Sequence, residues 1–128
     1  MEYSIGQVAE KLNLPCSTIR YYDKEGLLPF IQRKNSGVRV FSDSDINMLT
    51  IIECLKNTGM PIKDIKQFSA WCVQGDSTLQ ERYEMFLERK RIVEEQMEAL
   101  KKSIEVIEHK CNYYKTALEA GTESIHKK

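Results

Sequence analysis

The stretch from Leu79 to Leu118 constrains this chain more than any other part of it. Apolar residues recur at every seventh position in two interleaved rows. One row is Leu79, Phe86, Val93, Leu100, Ile107 and Tyr114; the other is Tyr83, Lys90, Met97, Ile104, Cys111 and Leu118. The rows alternate by four and three residues, as the a/d seam of a coiled coil does, and Lys90 is their one charged member. Neither Pro nor Gly interrupts the run. At ~1.5 Å per residue it predicts a helix roughly 60 Å long. A stripe of that length exceeds what the small remaining domain can cover. It therefore predicts a partner helix, and the simplest partner is a second copy of the chain.

The 128 residues leave room for one small globular domain beside this helix. Basic and acidic residues balance at 19 each, so net charge says nothing about partners. Their distribution says more. Between Lys11 and Val40 the basic residues are Lys11, Arg20, Lys24, Arg33, Lys34 and Arg39, against only Asp23 and Glu25. The positive field is thus local to the N-terminal part. Long apolar runs are absent, and Glu2 with a polar first helix predicts no secretory leader and no membrane span. The four cysteines, Cys16, Cys54, Cys72 and Cys111, form no close pair, which predicts free thiols in a reducing, cytoplasmic compartment. The two histidines, His109 and His126, lie on the long helix and its tail, and no Gly-rich phosphate loop occurs. The chain is expected not to be an enzyme and to need neither cofactor nor metal.

Ser4 followed by Gln7 reads as a capping box, and Ile5, Val8, Ala9 and Leu12 give a short amphipathic helix. Asn13-Leu14-Pro15 breaks it, and a second helix is predicted from Cys16 to Glu25 with Gly26 as its stop. Two short helices about so tight a turn read as a helix-turn-helix, whose second helix enters the major groove. Its outward positions offer Ser17, Thr18, Arg20, Tyr21 and Lys24, whereas Ile19 and Tyr22 face the first helix. A solvated helix face is the alternative. Two short strands, Ile31–Lys34 and Val38–Phe41, then flank a turn at Asn35-Ser36-Gly37. Carrying Arg33, Lys34 and Arg39, this hairpin reads as a wing along phosphates, or else as a hairpin with basic edges. Ser42 and Asp45 cap a third helix with a Met48, Ile51, Ile52 and Leu55 stripe. Pro61 opens a fourth, lined by Ile65, Phe68, Ser69 and Cys72, with Lys63 and Lys66 on its other side as a lesser phosphate contact. Thr78 with Glu81 is expected to cap the long helix. The expected domains are a winged helix-turn-helix over residues 1–75, an antiparallel coiled-coil dimerisation helix over 76–118 and a flexible tail over 119–128. The fold class is mainly α.

Three segments resemble the MerR family of bacterial transcription regulators. They are Ile5-Gly6-Gln7-Val8-Ala9, the run from Ser17 to Leu28 containing Thr18-Ile19-Arg20-Tyr21-Tyr22, and Gly37-Val38-Arg39-Val40-Phe41. The block from Ile51 to Ile65 fits as well. The resemblance covers about the first 70 residues in sequence and the long helix in architecture. It implies a homodimer with antiparallel long helices, bound to a palindromic promoter whose spacer is longer than the optimum. The dimer would bend and underwind that double-stranded DNA so that RNA polymerase engages both promoter elements. By position it implies DNA contacts at Thr18, Arg20, Tyr21, Tyr22, Arg33 and Arg39. The chain departs from the family at Val38, where Tyr is usual, and at Pro15, which replaces a hydroxyl cap.

The resemblance extends to a short branch that responds to aldehydes or thiol-reactive electrophiles through a lone Cys in the third helix. Cys54 occupies that place, about 100° from the centre of the apolar stripe and so not forced into the core. A half-buried structural thiol is the alternative. Two further readings stay open: a regulator responding to a metal or small ligand, and a coiled-coil interaction protein with an inert winged domain.

Overall fold

A computed structural model describes residues 1–127; Lys128, the last residue of the expected tail, lies outside the described residues. The chain divides into two compact units, Met1–Arg89 and Lys90–Lys128.

The first unit opens with α1 (Ile5–Leu12), whose start is fixed by the reciprocal bonds of Ser4 and Gln7. Asn13 ends it in the left-handed conformation, φ 54°, a geometry that Asn tolerates better than most side chains. Pro15 then starts α2 (Cys16–Lys24), and Gly26 turns the chain out of it at φ 81°. Strands β1 (Gln32–Arg33) and β2 (Arg39–Val40) pair antiparallel, Gln32 opposite Val40 and Arg33 opposite Arg39. They are shorter than the predicted strands. The base of the hairpin is held by a bridge to the N-terminus: the Tyr3 N–H donates to the Phe41 carbonyl (2.7 Å) and the Phe41 N–H to that of Tyr3 (2.9 Å). Phe41 itself is buried in the core.

Helix α3 (Asp43–Asn57) begins at the predicted Ser42–Asp45 capping box. Its buried residues are Asp45, Leu49, Ile52 and Leu55: Ile52 and Leu55 of the predicted stripe are buried, and Leu49 takes the inward place expected of Met48 and Ile51. Met48 and Ile51 pack at the edge of the core. Helix α4 (Ile62–Gln74) buries Ile65, Phe68 and Ser69. Ile65 and Phe68, with Leu49, Ile52 and Leu55 of α3 and Val8, Ile19, Tyr22, Leu27 and Leu28, form one core. Each fully buried Leu or Ile contributes about 1.5–3 kcal/mol by leaving water. Ser69 is tolerated there because its hydroxyl donates to the Leu27 carbonyl at 2.8 Å, which ties α4 to the turn after α2.

A 3-10 turn (Asp76–Thr78) leads into α5 (Leu79–Ala120). The expected Thr78–Glu81 cap is replaced by another arrangement. The Thr78 hydroxyl lies 2.7 Å from the Trp71 carbonyl and 2.9 Å from that of Gly75. The Arg82 guanidinium donates to Thr78 Oγ1 (3.1 Å) and to the Gly75 carbonyl (2.8 Å). Phe86 meets Phe68 edge to face at 5.2 Å, and Met85 packs on the core. The first turns of α5 therefore belong to the first unit, beyond the boundary expected at residue 75, and Phe86 packs within its own chain.

In the second unit Met97, Leu100, Ile104 and Ile107 are all exposed along α5. After Ala120 the chain reverses at Gly121 (φ 78°), and a 3-10 turn (Glu123–His126) follows. The Thr122 N–H donates to the Ala117 carbonyl (3.0 Å), and the His126 ring stacks on Tyr113 with centroids 4.0 Å apart. Part of the expected tail thus has a defined turn. No helix among the described residues is long and apolar enough to cross a membrane.

Ser69→Ala removes the donor from a buried carbonyl. It should lower unfolding stability by about 1–3 kcal/mol, read by urea denaturation, with helix content at zero urea unchanged.

Candidate nucleic-acid interface

The interface is built on α2, and the packing of α2 decides which side chains it offers. Ile19 and Tyr22 are fully buried. On a helix that places Arg20, Tyr21 and Lys24 on the outward side, and all three are exposed. Thr18 is half-buried beside them. Pro15 makes no side-chain cap bond, so the first turn of α2 keeps backbone donors for an outside acceptor such as phosphate.

Tyr22 is a correction to the contacts implied by the resemblance. It has no exposed surface, and its hydroxyl donates to Glu53 on α3. Burial, then the bond to Glu53, pushes its ionisation well above the usual tyrosine range. The Lys56 ammonium lies 5.4 Å from the Tyr22 ring centroid. Tyr22 is therefore a core residue that links α2 to α3, as its inward wheel position suggests.

The wing arginines do not extend freely. Arg33 Nη2 donates to Asp23 Oδ2 at 2.9 Å, and Arg39 Nε donates to the same oxygen at 2.7 Å. Arg33 Nη1 also donates to the Gly37 carbonyl at 2.9 Å, which closes the hairpin on itself. Arg33 keeps 48 % of its side chain exposed and Arg39 only 22 %, so Arg33 is the more accessible of the two. Val38, where the family usually has Tyr, is exposed at the hairpin tip. Sequence reading did not single out Asp23. Its signal is an acid in the last turn of a helix within a basic stretch.

Lys63 and Lys66 are exposed on α4. Lys66 comes close to the turn after α2: a Cβ added to Gly26 would sit 3.4 Å from its ammonium. The basic side of α4 thus meets the end of the recognition helix. Cys54 is exposed on α3, next to the Glu53 that holds Tyr22. Cys16 and Cys72 are half-buried, and Cys111 is exposed on α5. Among the described residues no group of three or more His, Cys, Asp and Glu is placed to hold a metal ion.

A recognition helix with an outward Arg and Tyr, a basic hairpin braced against its end and a shared core behind both define a winged helix-turn-helix DNA-binding domain. The MerR HTH family regulatory protein model matches residues 3–70, more than half of the chain, and the chain belongs to that family. It is a DNA-binding transcriptional regulator. It is 40 % identical over 122 residues to an uncharacterized HTH-type transcriptional regulator of Haemophilus influenzae, covering 95 % of this chain and 90 % of that one. It is 35 % identical over 92 residues to the HTH-type transcriptional regulator AdhR of Bacillus subtilis, covering 71 % of this chain and 66 % of that one. The crystal structure of HiNmlR, a MerR family regulator lacking the sensor domain, bound to promoter DNA, superposes with a TM-score of 0.91 at 39 % identity. That match covers 98 % of this chain and 99 % of HiNmlR.

Arg20→Ala should weaken binding to a specific duplex by about 1–3 kcal/mol if Arg20 reads a base edge. Titration by fluorescence anisotropy, with circular dichroism to show unchanged helicity, measures this. Equal binding by the variant removes Arg20 from the interface.

Proposed function

We propose that the protein acts in the cytoplasm as a homodimer on a palindromic promoter. Each winged domain reads one half-site, and the long helices pair antiparallel as a coiled coil. Thr18, Arg20 and Tyr21 face base edges and phosphates in the major groove, while Arg33, Arg39 and Lys63 lie along the backbone. The dimer bends and underwinds a long spacer so that RNA polymerase engages both promoter elements. The observation that carries this reading is the likeness to HiNmlR over 98 % of the chain, because that relative was solved on promoter DNA.

The dimer is supported by the second unit. Met97 (66 %), Leu100 (65 %), Ile104 (52 %) and Ile107 (59 %) stand exposed at alternating spacings of three and four residues. Apolar residues so spaced on one helix face gain by pairing with a second helix. Leu100→Asp with Ile104→Asp should convert the dimer to monomer at micromolar concentration in sedimentation velocity. A stable dimer of that variant contradicts the seam.

Cys54 is the proposed sensor thiol for aldehydes or other electrophiles. Its exposure lets a reagent reach it. Its neighbour Glu53 is bonded to Tyr22 of the recognition helix, so an adduct that shifts α3 locally acts on α2 through one hydrogen bond. Cys54→Ser should keep DNA affinity within about twofold, as expected for an exposed site away from the interface. It should abolish the aldehyde response of a promoter reporter; an unchanged response removes Cys54 as sensor.

A further inference from the structure

We infer that Asp23 is a positioning residue for DNA recognition: its carboxylate sets the wing at a fixed place against the recognition helix, and so makes the wing contribute to sequence discrimination rather than to general attraction for DNA. The inference rests on the reading of α2 and the hairpin as the DNA-binding surface.

The hairpin is too small to hold its own position. Only two residue pairs join β1 to β2, and an isolated two-stranded ribbon is marginal in water. Its base is anchored, since Phe41 is buried and bonded to Tyr3 at both backbone groups. Its outer part, from Arg33 to Arg39, has no buried side chain. Among the described residues, the hydrogen bonds that tie that part to the rest of the domain converge on one oxygen, Asp23 Oδ2, which accepts from Arg33 at 2.9 Å and from Arg39 at 2.7 Å. Arg33 and Arg39 are opposite one another in the ribbon, so the carboxylate grips both strands at the same level.

Three physical consequences follow from that arrangement. Bonds between guanidinium and carboxylate are short, charge-assisted and directional, so they fix orientation as well as distance. The carboxylate screens two like charges that the ribbon brings side by side. Each guanidinium also gives only part of its donor set to these bonds, which leaves N–H groups for phosphate while Asp23 stays engaged. Asp23 lies mostly out of solvent, with 18 % of its side chain exposed, and that strengthens the grip relative to a surface pair. The carboxylate therefore orders the wing before DNA arrives, which lowers the entropy lost on binding a matching site.

The two plausible roles of Asp23 give opposite signs in binding. As a mere negative charge near phosphate, it weakens all DNA binding, and its removal would tighten all of it. As the brace of the wing, it supports the matched complex most, and its removal would weaken that complex selectively.

The test compares the full chain with Asp23→Asn on two probes. One is a duplex that the unmodified protein selects from a random-sequence pool; the other is a scrambled duplex of the same length. Asp23→Asn should weaken binding to the selected duplex about tenfold, while binding to the scrambled duplex stays equal or tightens. In an Arg33→Gln, Arg39→Gln background the same substitution should change the ratio of the two affinities by less than about twofold, because the partners it acts through are absent.

An unchanged ratio for Asp23→Asn overturns the inference. So does an equal fall on both duplexes accompanied by a lower melting temperature, which is the mark of a structural role alone. A fall in the ratio that persists in the double-Gln background also overturns it. If the unmodified protein selects no duplex, the DNA-binding reading fails and this inference with it; if it selects one and the ratio does not move, only the inference fails.

Discussion

The arrangement of the DNA-binding surface depends on the burial of Ile19 and Tyr22 in one core with Val8, Leu27, Ile52 and Ile65. Those two residues fix the rotation of α2 about its own axis. A helix turned by one residue would swing its side chains by about 100°, and Arg20 would leave the outward face for the core. Burying a guanidinium without a partner is costly enough to exclude that register. The apolar side of α2 therefore selects its polar side. The core is small, and it is shared by α1, α2, α3, α4 and the end of the hairpin through Phe41, so the recognition helix is packed against all of them.

Behind that surface two polar contacts tie elements that the core alone would leave adjustable. The Tyr22 hydroxyl reaches Glu53 on α3, and the Ser69 hydroxyl reaches the Leu27 carbonyl after α2. Both join the recognition helix to the helices that precede α5. The raised ionisation of Tyr22 follows from its burial and keeps the phenol neutral, hence a donor, across the physiological range. In front of the surface, the acid of Asp23 performs the corresponding task for the wing.

Much of the fold was legible because it is written in local signals. The Ser4–Gln7 and Ser42–Asp45 boxes set the starts of α1 and α3, and Gly26 set the end of α2. The outward set on α2 followed from helical periodicity, which also placed Tyr22 inward against the contact list implied by the family. What remained hidden depends on side chains meeting across long sequence separations. Nothing in the period of α5 tells that Phe86 turns to Phe68 while Leu100 stays exposed. Nothing local tells that Asp23 takes both Arg33 and Arg39. The turn after Gly121 was missed because its hold is a stack of His126 on Tyr113 rather than an apolar stripe.

Amide hydrogen exchange of the full chain, with and without a duplex selected from a random pool, tests the central claim most directly. The account predicts that DNA slows exchange at the start of α2 and through the hairpin from Gln32 to Val40, while the exposed face of α5 from Met97 to Ile107 is unchanged by DNA. Protection confined to α5, or spread evenly over the chain, would contradict the assignment of α2 and the wing as the surface that meets DNA.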